Sequence, residues 1–173
     1  MADIAQKVSE LLEQFGVTRP PVPVEHITKK LGLILCALPA EDDISGAIIR
    51  KDGRTVIAVN PTHHSNRQRF TIAHELAHYF LHEHLLEHVD QNFRVAWRKA
   101  NAQGGVDWSE VEANRFAAEL LIPTKFLTHD LDSLDSIDIR TVAVLANRYG
   151  VSKDAMKFRL TNLGILGLAD QGQ

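Results

Sequence analysis

Residues 69–82 read Arg69-Phe70-Thr71-Ile72-Ala73-His74-Glu75-Leu76-Ala77-His78-Tyr79-Phe80-Leu81-His82. This run constrains the chain more than any other. Phe70, Ala73, Ala77 and Phe80 form one apolar stripe of a helix, and Ile72, Leu76 and Tyr79 form another. A helix apolar around most of its circumference is buried, and buried polar groups need partners. His74 and His78 are four residues apart, so their imidazoles stack on one face and can reach a single divalent metal. Glu75 lies beside them, placed to act on a water at that metal. A catalytic metal site of this kind takes three protein ligands and leaves a fourth position for water. His82 is a poor third ligand, because its Cα lies ~12 Å along the helix axis from that of His74. A carboxylate from another helix suits the tetrahedron better.

A mirror-image rival follows at once. His84-Leu85-Leu86-Glu87-His88 has the His-x-x-Glu-His order of inverted zinc motifs. The apolar periodicity has weakened there, so these histidines are expected to face solvent.

The rest of the chain reads as scaffold around this helix. Ile4, Val8, Leu11, Leu12 and Phe15 recur at helical spacing before Gly16, and a short helix is expected over 24–31. Leu33 to Leu38 forms an apolar strand, with Cys36 as a buried, inert thiol. The runs 45–50 and 55–60 flank Asp52-Gly53, a hairpin signal. An edge of that small sheet can pair with an extended peptide. Residues 93–99 are mixed aromatic and basic, and 101–105 reads as a flexible loop able to cover the site. Asp107 and Glu110 propose a capping box for the helix that ends before Pro123. An Asp-rich linker (Asp130, Asp132, Asp135, Asp138) leads to two last helices, 139–149 and 152–163. These are joined by Gly150-Val151 and resemble half of a helix-turn-helix.

Composition closes off other classes. The 173 residues carry a net charge of −3, so direct nucleic-acid binding is not expected despite that hairpin. One cysteine suits a reducing cytosol, and neither a secretion signal nor a membrane span is read in the sequence. The expected fold is α+β and mainly helical. A small antiparallel three-stranded sheet packs on the His-Glu-x-x-His helix, and a C-terminal helical hairpin follows. Residues 1–130 read as the metal-binding domain and 131–173 as the hairpin, packed together as one unit.

Residues 67–82, taken with Glu110-Val-Glu-Ala-Asn-Arg-Phe-Ala-Ala-Glu-Leu-Leu-Ile-Pro123, resemble the ImmA/IrrE family of metallo-endopeptidases. Ile44-Ser45-Gly46, Val59-Asn60, Tyr149-Gly-Val-Ser152 and Arg159-Leu-x-x-Leu-Gly164 fit the same pattern, and the likeness spans roughly residues 20–165. Members resemble thermolysin-like gluzincins around the metal and act on helix-turn-helix repressors, releasing genes of mobile elements or stress responses. The resemblance implies His74 and His78 as metal ligands and Glu75 as general base. It implies Glu110 as third ligand, with Asn114 hydrogen-bonding a ligand histidine. Glu112 is rotated ~200° from Glu110, so only one of the two can be a ligand, and Glu110 is preferred. Zinc is the implied ion, with manganese as the alternative. A protein partner in the cytoplasm is the implied substrate. Tyr79, His82, His84 and Tyr149 are candidates to stabilise an oxyanion. Large sensor domains that some relatives carry are not read in this sequence.

Overall fold

Asp3 starts the first helix by accepting hydrogen bonds from the amides of Ala5 and Gln6, and α1 (Ile4–Gln14) then buries Val8, Leu11 and Leu12. The computed structural model describes residues 3–91, 107–132, 134 and 137–166. The loop 101–105, the stretch 93–99 and Asp135 lie outside them. After α1 come α2 (Val24–Lys30), β1 (Ile34–Ala37), β2 (Ile44–Lys51), β3 (Arg54–Val59), α3 (Ser65–Leu81) and β4 (Glu87–Gln91). Then follow α4 (Trp108–Leu121), α5 (Thr124–Leu131), α6 (Ile139–Tyr149) and α7 (Lys153–Asn162).

The Asp-Gly hairpin forms as its chemistry requires. Asp52 and Gly53 take φ of 50° and 71°, and Lys51 faces Arg54 across the turn. Two consecutive left-handed residues match the right-handed twist of the strands they join. The sheet differs from the expected one in two respects. It has four strands in the order β1-β3-β2-β4, and β1 runs parallel to β3 while the other pairs are antiparallel. As an edge strand, β1 leaves three of its four side chains exposed, and Cys36 is exposed rather than buried. An apolar run on an unpaired edge is only partly covered, which periodicity does not reveal.

The sheet lies closely on α3. A Cβ on Gly46 would meet Thr71 Cγ2 at 2.4 Å and the Ala58 carbonyl oxygen at 2.6 Å, so only glycine permits this approach. Ile48 and Ile57 from the sheet, Ile72, Ala73, Leu76 and Ala77 from α3, and Ala113, Phe116, Ala117 and Leu120 from α4 share one buried cluster. The alanines of α3 and α4 let these helix backbones approach, as the small residues of 110–122 suggested. Val142, Leu145, Tyr149, Met156 and Leu160 of the last two helices join the same cluster. Arg159 ties α7 to α4 through an ion pair with Glu119 and bonds to the Ile122 carbonyl and Thr124 hydroxyl. Arg69, at the start of α3, donates to the carbonyls of Gly150 and Val22 at 3.1 and 2.9 Å. Among the described residues no helix is long and apolar enough to cross a membrane.

Candidate metal centre

Both ends of α3 are fixed. His64 caps its N-terminus by accepting from the Asn66 amide. At the other end the Arg50 guanidinium of β2 donates to the carbonyls of His78, at 2.8 Å, His82, at 3.2 Å, and Leu85. A cation on the last carbonyls opposes the negative end of the helix dipole, and here it adds to the bonds that the His78 and His82 carbonyls already accept from the amides of His82 and Leu85. The middle of the helix is then immersed in the core, with His74, Glu75 and His78 exposed by 2, 0 and 0%.

The first turn of α4 faces them. Asp107 caps that helix by accepting from the Ser109 amide. The expected return bond from Glu110 does not hold its carboxylate, which turns to the histidines instead. Glu110 Oε2 lies 3.4 Å from His74 Nε2, and Oε1 lies 3.1 Å from His78 Nε2. The two Nε2 atoms are themselves 3.1 Å apart. His88 of β4 brings a third nitrogen, and a fourth donor, to 3.3 Å from Glu110 Oε1. Donors ~2.0–2.1 Å from a tetrahedral zinc ion lie ~3.3–3.4 Å from one another. These four contacts fall close to that edge length, and all four donor atoms lie within 4.8 Å of one another.

With neutral imidazoles, the hydrogen-bond partners around the group assign the ring protons. Glu112 Oε2 can only accept, so His82 Nε2, 3.3 Å away, donates. His82 Nδ1 then accepts from His78 Nδ1 at 3.0 Å, which leaves the lone pair of His78 on Nε2. On the other side His74 Nδ1 donates to Asn114 Oδ1 at 3.2 Å, which leaves its lone pair on Nε2 as well. Two lone pairs facing each other at 3.1 Å beside a carboxylate repel unless a cation lies among them. The donor set therefore fits a divalent metal ion, and so do the charge states. Burial lowers His78, and burial together with His78 pushes His88 down to about 4. Neutral imidazoles and an ionised carboxylate are the metal-binding forms.

The structure thus brings His74, His78, Glu110 and Asn114 together, with the fully buried Glu75 on the same turn of α3. It keeps Glu112 apart from the donors and sets it behind His82. That arrangement also removes His82 as a third ligand: it backs His78 rather than joining it. Of the rival motif, His84 is exposed, as expected, but His88 is not turned to solvent. Sequence reasoning missed His88 and the Glu112–His82 pair. The pair had a readable signal, since His82 continues the His74–His78 face by one more turn. Tyr149 is fully buried and donates to Asp130, and Tyr79 lies under the Arg50 guanidinium at 5.9 Å.

Two histidines one turn apart on a buried helix, a carboxylate from a second helix and a sheet laid across them are the arrangement of a metallopeptidase-type domain. The chain belongs to the peptidase family described as the IrrE N-terminal-like domain, whose model matches residues 28–161. Among solved structures it is similar to a Mycobacterium tuberculosis transcriptional regulator, with a TM-score of 0.61 and 16% identity. That likeness covers 93% of this chain and 47% of the other, so the chain spans about half the length of the regulator. At this identity the likeness is one of fold. Among curated proteins none matches in sequence.

Proposed function

We propose that the protein is a metal-dependent endopeptidase that cleaves a partner protein, a helix-turn-helix transcriptional repressor, in the cytoplasm. Derepression of a mobile-element, toxin–antitoxin-like or stress-response locus is the outcome of that cleavage. Zinc is the proposed ion, with manganese as the alternative. The observation that carries the reading is the convergence of His74, His78 and Glu110 around one point, with Glu75 buried on the same helical turn. The family supports the peptidase chemistry, and the similar protein described as a transcriptional regulator supports the regulatory setting. Residues 1–130 would hold the reaction and the hairpin from 131 onward would dock the partner.

A divalent ion held there by His74, His78 and Glu110 would supply an acidified water and would polarise a scissile carbonyl. Glu75, buried on the same turn of the helix, would be the general base and the proton donor to the leaving amine. Asn114 holds the Nδ1 proton of His74, and the Glu112–His82 pair holds that of His78, so both ligands keep their tautomer and orientation. Replacing Glu75 by Gln keeps shape and removes the base. Metal content should be unchanged while cleavage of the cognate repressor falls by ~10²–10⁴-fold. Cleavage at the wild-type rate would sink the proposal.

A second reading is a non-catalytic antirepressor with a structural metal. It is favoured by His88, because structural sites are closed by four protein ligands. Under it, derepression survives Glu75→Gln. It is lost instead when the exposed apolar residues of the hairpin, Ile139, Val144 and Phe158, are changed together to Ser.

A further inference from the structure

His88 stands where a catalytic site needs something else. Its Nε2 is shielded from solvent yet has no hydrogen-bond partner among the described residues, although Glu110 Oε1 is 3.3 Å away. Glu110 Oε1 is in the same position with respect to hydrogen bonds. The two atoms are near each other without pointing at each other, as ligands around a shared centre are. The His88 ring centroid is 3.9 Å from that of His78 and 5.9 Å from that of His74, so β4 adds a third ring to the group.

The strand that delivers it is equally informative. β4 is five residues long, extended, and antiparallel to β2 along the outer edge of the sheet. His88 is opposite Ile48, whose fully buried side chain sets the inner face, while Val89 and Glu87 face outward. This is the geometry an extended peptide adopts when it adds to a sheet edge, with alternate side chains entering a site. Neither Leu86 nor Val89 belongs to the core, at 70 and 50% exposed. β4 is therefore held by its ladder to β2 and by the Arg50 contacts at its entrance, with little apolar burial.

Building on the peptidase reading above, we propose that His88 is a fourth metal ligand in a latent form of the enzyme. In that form β4 occupies the β2 edge, which an extended substrate peptide can use only once β4 has left. Displacing β4 by an extended substrate segment frees two things at once, the coordination position for water and the β2 edge for the peptide. The device is a removable ligand on a lightly held strand, which distinguishes it from a structural site.

Ligation and cleavage are tested separately. The full chain is loaded with Co(II) and compared with His88→Ala and with the exposed-residue control His84→Ala. In the wild type and the control, the visible spectrum should be that of a closed four-ligand ion and should not respond to azide. In His88→Ala the spectrum should change and shift further as azide is titrated. An unchanged, azide-silent spectrum in His88→Ala overturns the proposal, whatever happens to cleavage. The second arm follows a fluorogenic peptide with zinc bound. His88→Ala should cleave it at least ~10-fold faster than wild type, since a general base acting on a now-available water contributes ~10²–10⁴. A changed Co(II) spectrum with no gain in cleavage overturns the latency.

A cross-linked variant guards against misfolding of His88→Ala. With Cys36→Ser as background, Ile49→Cys and Glu87→Cys sit directly opposite each other on the outward face. Oxidation should silence cleavage and reduction restore it; equal activity in both states overturns the latency. Glu75→Gln in each background separates this from the parent reading. If cleavage survives it, the peptidase assignment fails while the Co(II) spectra still decide whether His88 is a ligand.

Discussion

α3 and β4 bring histidines to the same group of donor atoms, but the molecule holds them in opposite ways. His74 and His78 are carried on a helix whose neighbours Ala73, Leu76 and Ala77 are wholly buried, and each ring is fixed from behind by Asn114 or His82. His88 is carried on an edge strand whose one apolar side chain, Val89, is half exposed. Among its described contacts, no partner fixes the His88 ring from behind in the same way. The contrast separates what must stay in place for chemistry from what can leave. Side chains anchored by packing are costly to move. A segment anchored by a short backbone ladder opens with a free energy well below that of global unfolding.

The contrast can be broken by experiment. Leu76→Ala removes a fully buried side chain from the α3 core and should cost ~2–5 kcal/mol in chemical denaturation. Gly46→Ala tests how closely β2 lies on that helix. The added methyl has nowhere to go, and a loss of ~1–3 kcal/mol is expected in the same measurement. His82→Phe and Glu112→Gln act behind the ligand instead. Each should weaken zinc affinity by ~10–100-fold in chelator competition and leave the stability of the metal-free protein little changed. At the small end, Leu86→Ser should alter stability by less than ~0.5 kcal/mol, because its side chain is largely in solvent already. If Leu86→Ser proved as damaging as Leu76→Ala, β4 would belong to the rigid core and the distinction would fall.

What could be read from the sequence follows the same division. The buried helix announced itself through its period, and His74, Glu75 and His78 came with it because helical spacing alone puts them on one turn. Glu110 and Asn114 were legible as a pair four residues apart, but their meeting with α3 rested on family likeness, since Asn114 lies forty positions beyond His74. His88 was read as facing solvent because local hydropathy around it is weak. Its inward turn depends on the pairing of β4 with β2, where the register shifts between Ile44 and Gly46, and no local pattern encodes a long-range register. Cys36 failed for a related reason: an apolar strand does not say whether it will be flanked on both sides. The Glu112–His82 contact is not legible in the sequence, where Glu112 is weighed only as a rival ligand to Glu110 and thirty residues separate it from His82.

Arg50 gives this division a mechanical side. Its guanidinium grips the last carbonyls of α3, including that of His78, and its backbone amide donates to the Leu86 carbonyl at the entrance to β4. One residue thus acts as a pivot between the stiff arm and the loose one. Tension on the strand is passed to the end of the helix through a few hydrogen bonds rather than through packed side chains. A pull that peels β4 from the sheet would reach the His78 carbonyl before it disturbed any apolar contact, so the final turn of α3 should loosen in step with the strand while the core keeps its shape.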